Sequence, residues 1–187
     1  MKIEQTPLQD CIIIHEKVHG DERGYFIETF NQRDFNTATG LHIDFVQDNQ
    51  SKSSKGVLRG LHMQRGASAQ AKLVRVLAGS VLDVAVDLRK GSPSFGKHFT
   101  IELTAENHKQ FFVPAGFAHG FVVLSESATF FYKVDKFYEP GNEVGIMFND
   151  KDLNIDWQLP EKELILSEKD KTLGSYAEYV ASLENKR

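Results

Sequence analysis

A mainly β fold is what this sequence predicts: antiparallel strands forming a barrel or sandwich, a few short helices and a C-terminal helix. Three observations carry that expectation. Between about residues 10 and 150, short β-prone runs alternate with turn residues. The run KLVRVLAGSVLDVAVDL at 72–88 holds two such segments around Ala78-Gly79-Ser80, which reads as a hairpin. Helical periodicity over more than a few residues occurs only near the end of the chain.

The elements follow in order. Cys11 begins the apolar run CIII, where a packed structural thiol is expected. RDFNTATG at 33–40 reads as a short helix closed by Gly40. GVLRGLHMQ at 56–64 reads as a strand carrying both a guanidinium and an imidazole, Arg59 and His62. Both are costly to bury unless something pairs with them, which points to a pocket. HFTIEL, KQFFVP, GFVVL, ATFFYKV and EVGIMF follow as further strands, bounded by Gly, Asn, Ser or Pro. Tyr176, Tyr179, Val180 and Leu183 then fall at i, i+3, i+4 and i+7. They give a helix one apolar stripe, to pack on the outside of the barrel or on a neighbouring subunit.

The 187 residues contain no Pro/Gly-rich linker, so one domain over 1–187 is expected. A net charge of −4 argues against a nucleic-acid partner, which calls for a concentrated basic face. The single cysteine excludes an internal disulfide and fits a reducing compartment. MKIEQTPLQD has no apolar signal core, and no run approaches the ~18 residues that span a bilayer. A cytoplasmic protein without a membrane partner is expected.

The chemistry lies in spaced motifs. Gly56, His62 and Gln64 are followed by Lys72 and Gly79, then by Pro114-x-Gly116-x-x-His119. This spacing resembles the two-part signature of the cupin jelly roll, in which three histidines and a glutamate bind a metal. Gln64 stands at the second histidine position, and Lys72 best matches the glutamate. A protonated lysine cannot ligate, and the two remaining imidazoles do not make a usual site. No metal is therefore expected. The ammonium instead supplies a positive charge to stabilise a developing oxyanion. A base (His62), a cation (Lys72) and a second proton donor suit proton abstraction next to a carbonyl. Tyr132 is the candidate donor, because alternation in ATFFYKV sets it on one side with Ala128, Phe130 and Val134. Asp83 and Asp170 both remain possible as the carboxylate that orients the histidine.

Several blocks in order then identify a resemblance over nearly the whole chain. DERGYFIETF, QDNQSKSSKGVLRGLHMQ, KLVRVLAGSVLDVAVDLRKGSPSFG, VPAGFAHGF, FYKVDKFYEP and ILSEKDK are similar to the dTDP-4-dehydrorhamnose 3,5-epimerase family, which has the cupin fold. The resemblance implies inversion of C3 and C5 of a dTDP-linked 4-keto-6-deoxyhexose, without metal or organic cofactor. It implies His62 as base, Tyr132 as acid, Asp170 paired with the histidine, and Lys72 near the keto oxygen. It further implies that Gln47, Asn49, Arg59, His119, Glu143 and Lys169 hold the nucleotide sugar, and that Tyr138 stacks on the thymine. Arg23, Phe26 and Glu28 match residues lent to the neighbouring subunit's pocket, which implies a homodimer. Asp83 is expected to buttress His119. Met63 replaces the aromatic residue that usually follows the base, and RGASAQA at 65–71 replaces a commonly proline-containing stretch. Neither change removes a proton-transfer group. The first alternative is an epimerase of C3 alone or C5 alone. A sugar-nucleotide ketoisomerase, a non-catalytic binding module and a metal-dependent cupin fit the set of residues less well.

Overall fold

Two antiparallel sheets face one another in this computed structural model, which describes residues 1–184. The larger has six strands in the order β1 (Lys2–Gln5), β2 (Ile12–His15), β10 (Lys109–Val113), β7 (Lys72–Ala78), β12 (Ser127–Val134) and β5 (Gln47–Ser54). The smaller runs β13 (Glu143–Gly145), β6 (Leu58–Gln64), β11 (Phe117–Val123), β8 (Ser80–Asp87) and β9 (His98–Thr104). A separate two-stranded arm, β3 (Val18–Asp21) and β4 (Gly24–Ile27), leaves Tyr25 and Phe26 60% and 69% exposed.

Three apolar layers hold these parts together. Val74, Val76, Phe111 and Phe130 of the large sheet meet Val81, Ala85, Phe121 and Val123 of the small sheet in the interior. Outside the small sheet, Leu61, Leu82, Val84 and Val122 are covered by Leu153, Trp157, Leu164 and Leu166 of the C-terminal third. Outside the large sheet, Ile12, Ile14, Leu73 and Phe112 are covered by Phe35 and by Phe30, Leu41 and Phe45. Burial on both faces explains why β8 reads as a continuous apolar run rather than as alternation.

The 72–88 segment forms two strands but not a hairpin. β7 pairs with β10 and β12, whereas β8 pairs with β9 and β11 in the other sheet. Ala78-Gly79-Ser80 is therefore a corner between sheets. Gly79 turns it at φ +75, where a Cβ would lie 2.0 Å from the Ser127 carbonyl oxygen. Only glycine fits there. The apolar pattern of both strands was compatible with either pairing, and the two-sided core selected the corner. EVGIMF is also shorter than expected: the strand ends at Gly145, and Met147 leaves β6 to donate to the Gly174 carbonyl.

The two helices expected are present. In α1 (Gln32–Thr39), the Asn31 side chain accepts the Asp34 N–H, Gly40 closes the helix at φ +70, and Phe35 is driven into the outer layer. α2 (Tyr176–Glu184) lays Tyr176 and Tyr179 on the small sheet's outer layer, the packing its stripe predicted. Cys11 is fully buried, with its thiol donating to the Phe112 carbonyl at 3.2 Å; burial pushes its pKa far up. Among the described residues, no helix is long and apolar enough to cross a membrane.

At the end of β8, one buried carboxylate ties the chain together. Asp87 accepts hydrogen bonds from the Arg89 guanidinium and from the Ser92 and Ser94 hydroxyls. Burial alone would raise its pKa, but these donors outweigh burial and hold it at about 2, below the ordinary 3.8. A depressed carboxyl stabilises the fold above its unfolded pKa and loses that contribution as pH falls. Urea denaturation is expected to show stability declining from about pH 4 towards pH 2. Asp87→Asn should cost about 3 kcal/mol at neutral pH and flatten that acid dependence. An unchanged dependence in the variant would assign the effect elsewhere.

Candidate active site

The approach of β6 to β11 sets the site. Gly60 lies at φ +126, and a Cβ there would sit 2.6 Å from the Gly120 Cα. Two glycines facing one another let the strands close, and the register puts His62 opposite His119. Both imidazoles then line one cavity of about 660 Å³ between the sheets, within the range usual for small-molecule sites.

Each histidine has its own carboxylate. His62 Nε2–H donates to Asp170 Oδ1 at 2.5 Å, and His119 Nε2–H donates to Asp83 Oδ1 at 2.8 Å. Both pairings are the ones the resemblance implied, one carboxylate for each histidine. Asp170 is 3% exposed and arrives on the C-terminal segment, where Ser167 Oγ accepts its backbone N–H. Because a carboxylate only accepts, neutral His62 keeps its lone pair on Nδ1. Burial lowers the His62 pKa below the ordinary 6.5, with Asp170 opposing in part.

Lys72 and Tyr132 line the same cavity from the large sheet. Burial pulls the Lys72 ammonium down to about 8, while the charges of Asp83 and Glu143 resist the fall. Burial raises the Tyr132 phenol above its ordinary 10, with Arg59 pulling the other way. Arg59 and Asn49 complete the polar wall. At the rim, Glu143 pairs with Lys169 and accepts the Tyr138 hydroxyl at 2.6 Å. Burial would raise the Glu143 pKa, but these two donors leave it lowered. Gln47 stands just beyond, its amide donating to Asn49 Oδ1 at 2.8 Å. Gln64, at the position of a second metal histidine, is buried and accepts the Glu139 N–H instead. Among the described residues, no three His, Cys, Asp or Glu side chains are grouped to hold a metal.

The sequence model of the dTDP-4-dehydrorhamnose 3,5-epimerase family matches residues 5–178. The chain belongs to that family. It is 53% identical over 170 residues to the dTDP-4-dehydrorhamnose 3,5-epimerase of Shigella flexneri, covering 91% of this chain and 93% of the relative. The crystal structure of the Elizabethkingia anophelis dTDP-4-dehydrorhamnose 3,5-epimerase superposes with a TM-score of 0.92 at 58% identity, covering 95% and 97% of the two chains. The dTDP-6-deoxy-D-glucose-3,5-epimerase of Legionella pneumophila, solved in complex with dTDP-4-keto-L-rhamnose, gives 0.90 at 47% identity, covering 95% and 96%.

Arg23, Phe26 and Glu28, expected to serve a neighbouring subunit's pocket, do not line this chain's own cavity. Arg23 and Phe26 lie on the exposed arm and Glu28 just after it, where Arg23 pairs with Asp21 and Glu28 accepts from Asn31. Other wall residues had escaped sequence reasoning: Ser51, Phe121, and Ile165 to Ser167. Ser51 was within reach, since it continues the alternation of Gln47 and Asn49. Ile165 was not, because a parallel bridge to Val57, made only in three dimensions, brings it there.

Proposed function

We propose that this protein inverts C3 and C5 of dTDP-4-dehydro-6-deoxy-D-glucose, giving dTDP-4-dehydro-L-rhamnose. The observation that carries the reading is the placement of a base and a proton donor on opposite sheets around one cavity, His62 on β6 and Tyr132 on β12. Its relatives at about half identity carry the name of the double epimerase, which favours this over inversion of a single carbon.

The chemistry follows from the groups. Each reacting carbon flanks the C4 ketone, so loss of its proton leaves an enolate. His62 Nδ1 takes the proton, and Asp170 holds the ring's tautomer and steadies the imidazolium that forms. The electron pair moves to the keto oxygen, where the Lys72 ammonium stabilises it. The Tyr132 hydroxyl then protonates the carbon from the opposite face, and configuration inverts. Solvent then takes the proton from the His62 imidazolium and returns one to the Tyr132 phenolate, and the same steps invert the second carbon. Arg59 takes the diphosphate, with Gln47, Asn49, His119, Glu143 and Lys169 holding the rest of the nucleotide sugar and Tyr138 stacking on the thymine. Asp83 orients His119. In a homodimer, Arg23, Phe26 and Glu28 on or beside the exposed arm reach the partner's pocket. The exposure of Tyr25 and Phe26, two large aromatic side chains on the arm, supports that role. A protein of nucleotide-sugar synthesis fits a cytoplasmic location.

Three tests follow. Incubation with the 4-keto substrate in deuterated water is expected to label both C3 and C5; label at one carbon alone would make it a single-carbon epimerase. His62→Ala should lose exchange by about 10²–10⁴-fold while dTDP binding stays within a few-fold, and Tyr132→Phe should spare exchange more than net inversion. The pH profile of kcat/KM should rise as His62 loses its proton below 6.5 and fall as Lys72 loses its charge near 8. Lys72→Met should lower the plateau about 10²–10³-fold and remove the alkaline limb; a limb that persists would belong to another group. Finally, mixing His62→Ala with Arg23→Ala protein should restore activity in about a quarter of the sites, because mixed dimers combine both native residues in one pocket. No recovery on subunit exchange would sink the shared pocket.

A further inference from the structure

The inner side of β5 carries an unbroken polar stripe. Gln47, Asn49, Ser51 and Ser53 alternate with more exposed neighbours, and Ser53, 8% exposed, is the deepest of them. It faces Ala128 across the ladder and stands behind the cavity wall rather than in it. A buried hydroxyl calls for a partner. Here the partner is a cation: Ser53 Oγ accepts from both Arg59 Nε at 3.3 Å and Arg59 Nη2 at 3.2 Å.

That contact joins the two sheets, since β5 belongs to the larger and β6 to the smaller. It also fixes the direction of the guanidinium. With Nε and one Nη2 hydrogen turned towards Ser53, the remaining N–H groups are left for the cavity that Arg59 lines. The chemistry of the anchor matters as much as its position. Arg23, Arg33 and Arg89 are each held by a carboxylate. Among the described residues, Arg59 forms no ion pair. A carboxylate would orient the side chain but cancel much of its charge towards a second anion. A hydroxyl orients it and leaves the charge whole. An arginine fixed beforehand also loses less rotamer freedom when the anion arrives.

We propose that Ser53 is a positioning residue, whose neutral hydroxyl holds Arg59 in the orientation that receives the diphosphate of the nucleotide sugar. This rests on the reading of Arg59 as a diphosphate ligand given above. The role concerns binding rather than proton transfer, so Ser53 belongs to the specificity for a nucleotide diphosphate and not to the chemistry at C3 and C5.

A double-mutant cycle on dTDP binding, measured by isothermal titration calorimetry, tests it. Arg59→Ala should weaken dTDP at least tenfold, and Ser53→Ala about tenfold, the size of one hydrogen bond to a charged group. The double variant should bind no more weakly than Arg59→Ala alone, because Ser53 acts only through Arg59. In turnover, Ser53→Ala should raise KM while leaving kcat within twofold or so. Ser53→Thr, which keeps the hydroxyl, should bind as the unaltered protein does. Ser53→Asp should bind more weakly than Ser53→Ala, since it returns the contact but neutralises the charge. Equal losses from Ser53→Ala with and without Arg59 overturn the inference, as does a Ser53→Ala protein of unchanged affinity when Arg59→Ala is weakened. An Arg59→Ala protein of unchanged affinity overturns the diphosphate reading itself, and the role of Ser53 with it.

Discussion

The hydrogen bond between His62 and Asp170 ties the middle of the small sheet to the C-terminal segment, across 108 residues of sequence. Much else depends on that closure. The segment carrying Asp170 also supplies Ile165, Leu166 and Ser167 to the cavity, and its apolar residues cover the outer face of the same sheet. One stretch of chain therefore roofs the outer core and finishes the pocket wall. The parallel bridge from Val57 to Ile165 and that from Ile146 to Gly174 pin it at both ends. A site assembled this way depends on the last third of the chain being folded against the barrel. The apolar area buried under Trp157, Leu164 and Leu166 supplies the free energy for that order.

Electrostatic balance is the second theme. The cavity holds two imidazoles, an ammonium, a guanidinium and a phenol between largely apolar sheets. Burial disfavours the charged form of each titratable group, and it is the leading influence on His62, Lys72 and Tyr132. Buried Asp83 and half-buried Glu143 hold Lys72 up at about 8 rather than lower. The result is a neutral base and a cation that coexist in one pocket near neutral pH. Either alone would be easy to place. Keeping both requires nearby carboxylates, and the barrel supplies them from β8 and β13.

Anchoring by kind is the third. At Arg59, which lines the cavity, a hydroxyl holds the guanidinium and, among the described residues, no carboxylate pairs with it. Where the chain needs a fixed structural knot, as at Arg89, a carboxylate does. Met63 fits the same economy of roles: it points into the outer apolar layer with Leu61 and Leu82 and takes no part in the polar wall. Met63 therefore alters packing behind His62 and leaves the polar lining of the cavity unchanged.

The sequence by itself determined most strands of the two sheets, the two helices, and that Gln47 and Asn49 on β5, like Phe130 and Tyr132 on β12, would share a face. Alternation with period two is a local property, so Gln47, Asn49, Phe130 and Tyr132 were legible without any tertiary contact. The chemical types needed for the reaction were equally plain, because a lysine and a glutamine at metal-ligand positions change what a pocket can do. Tertiary structure alone decided which sheet each strand joined, and so turned an expected hairpin at Gly79 into a corner. It also decided that Ser53 stands behind Arg59 and that Ile165 to Ser167 join the cavity wall. The strand pairings and the Val57–Ile165 bridge join residues far apart along the chain. They are selected by the burial of the whole core, to which no local propensity is sensitive.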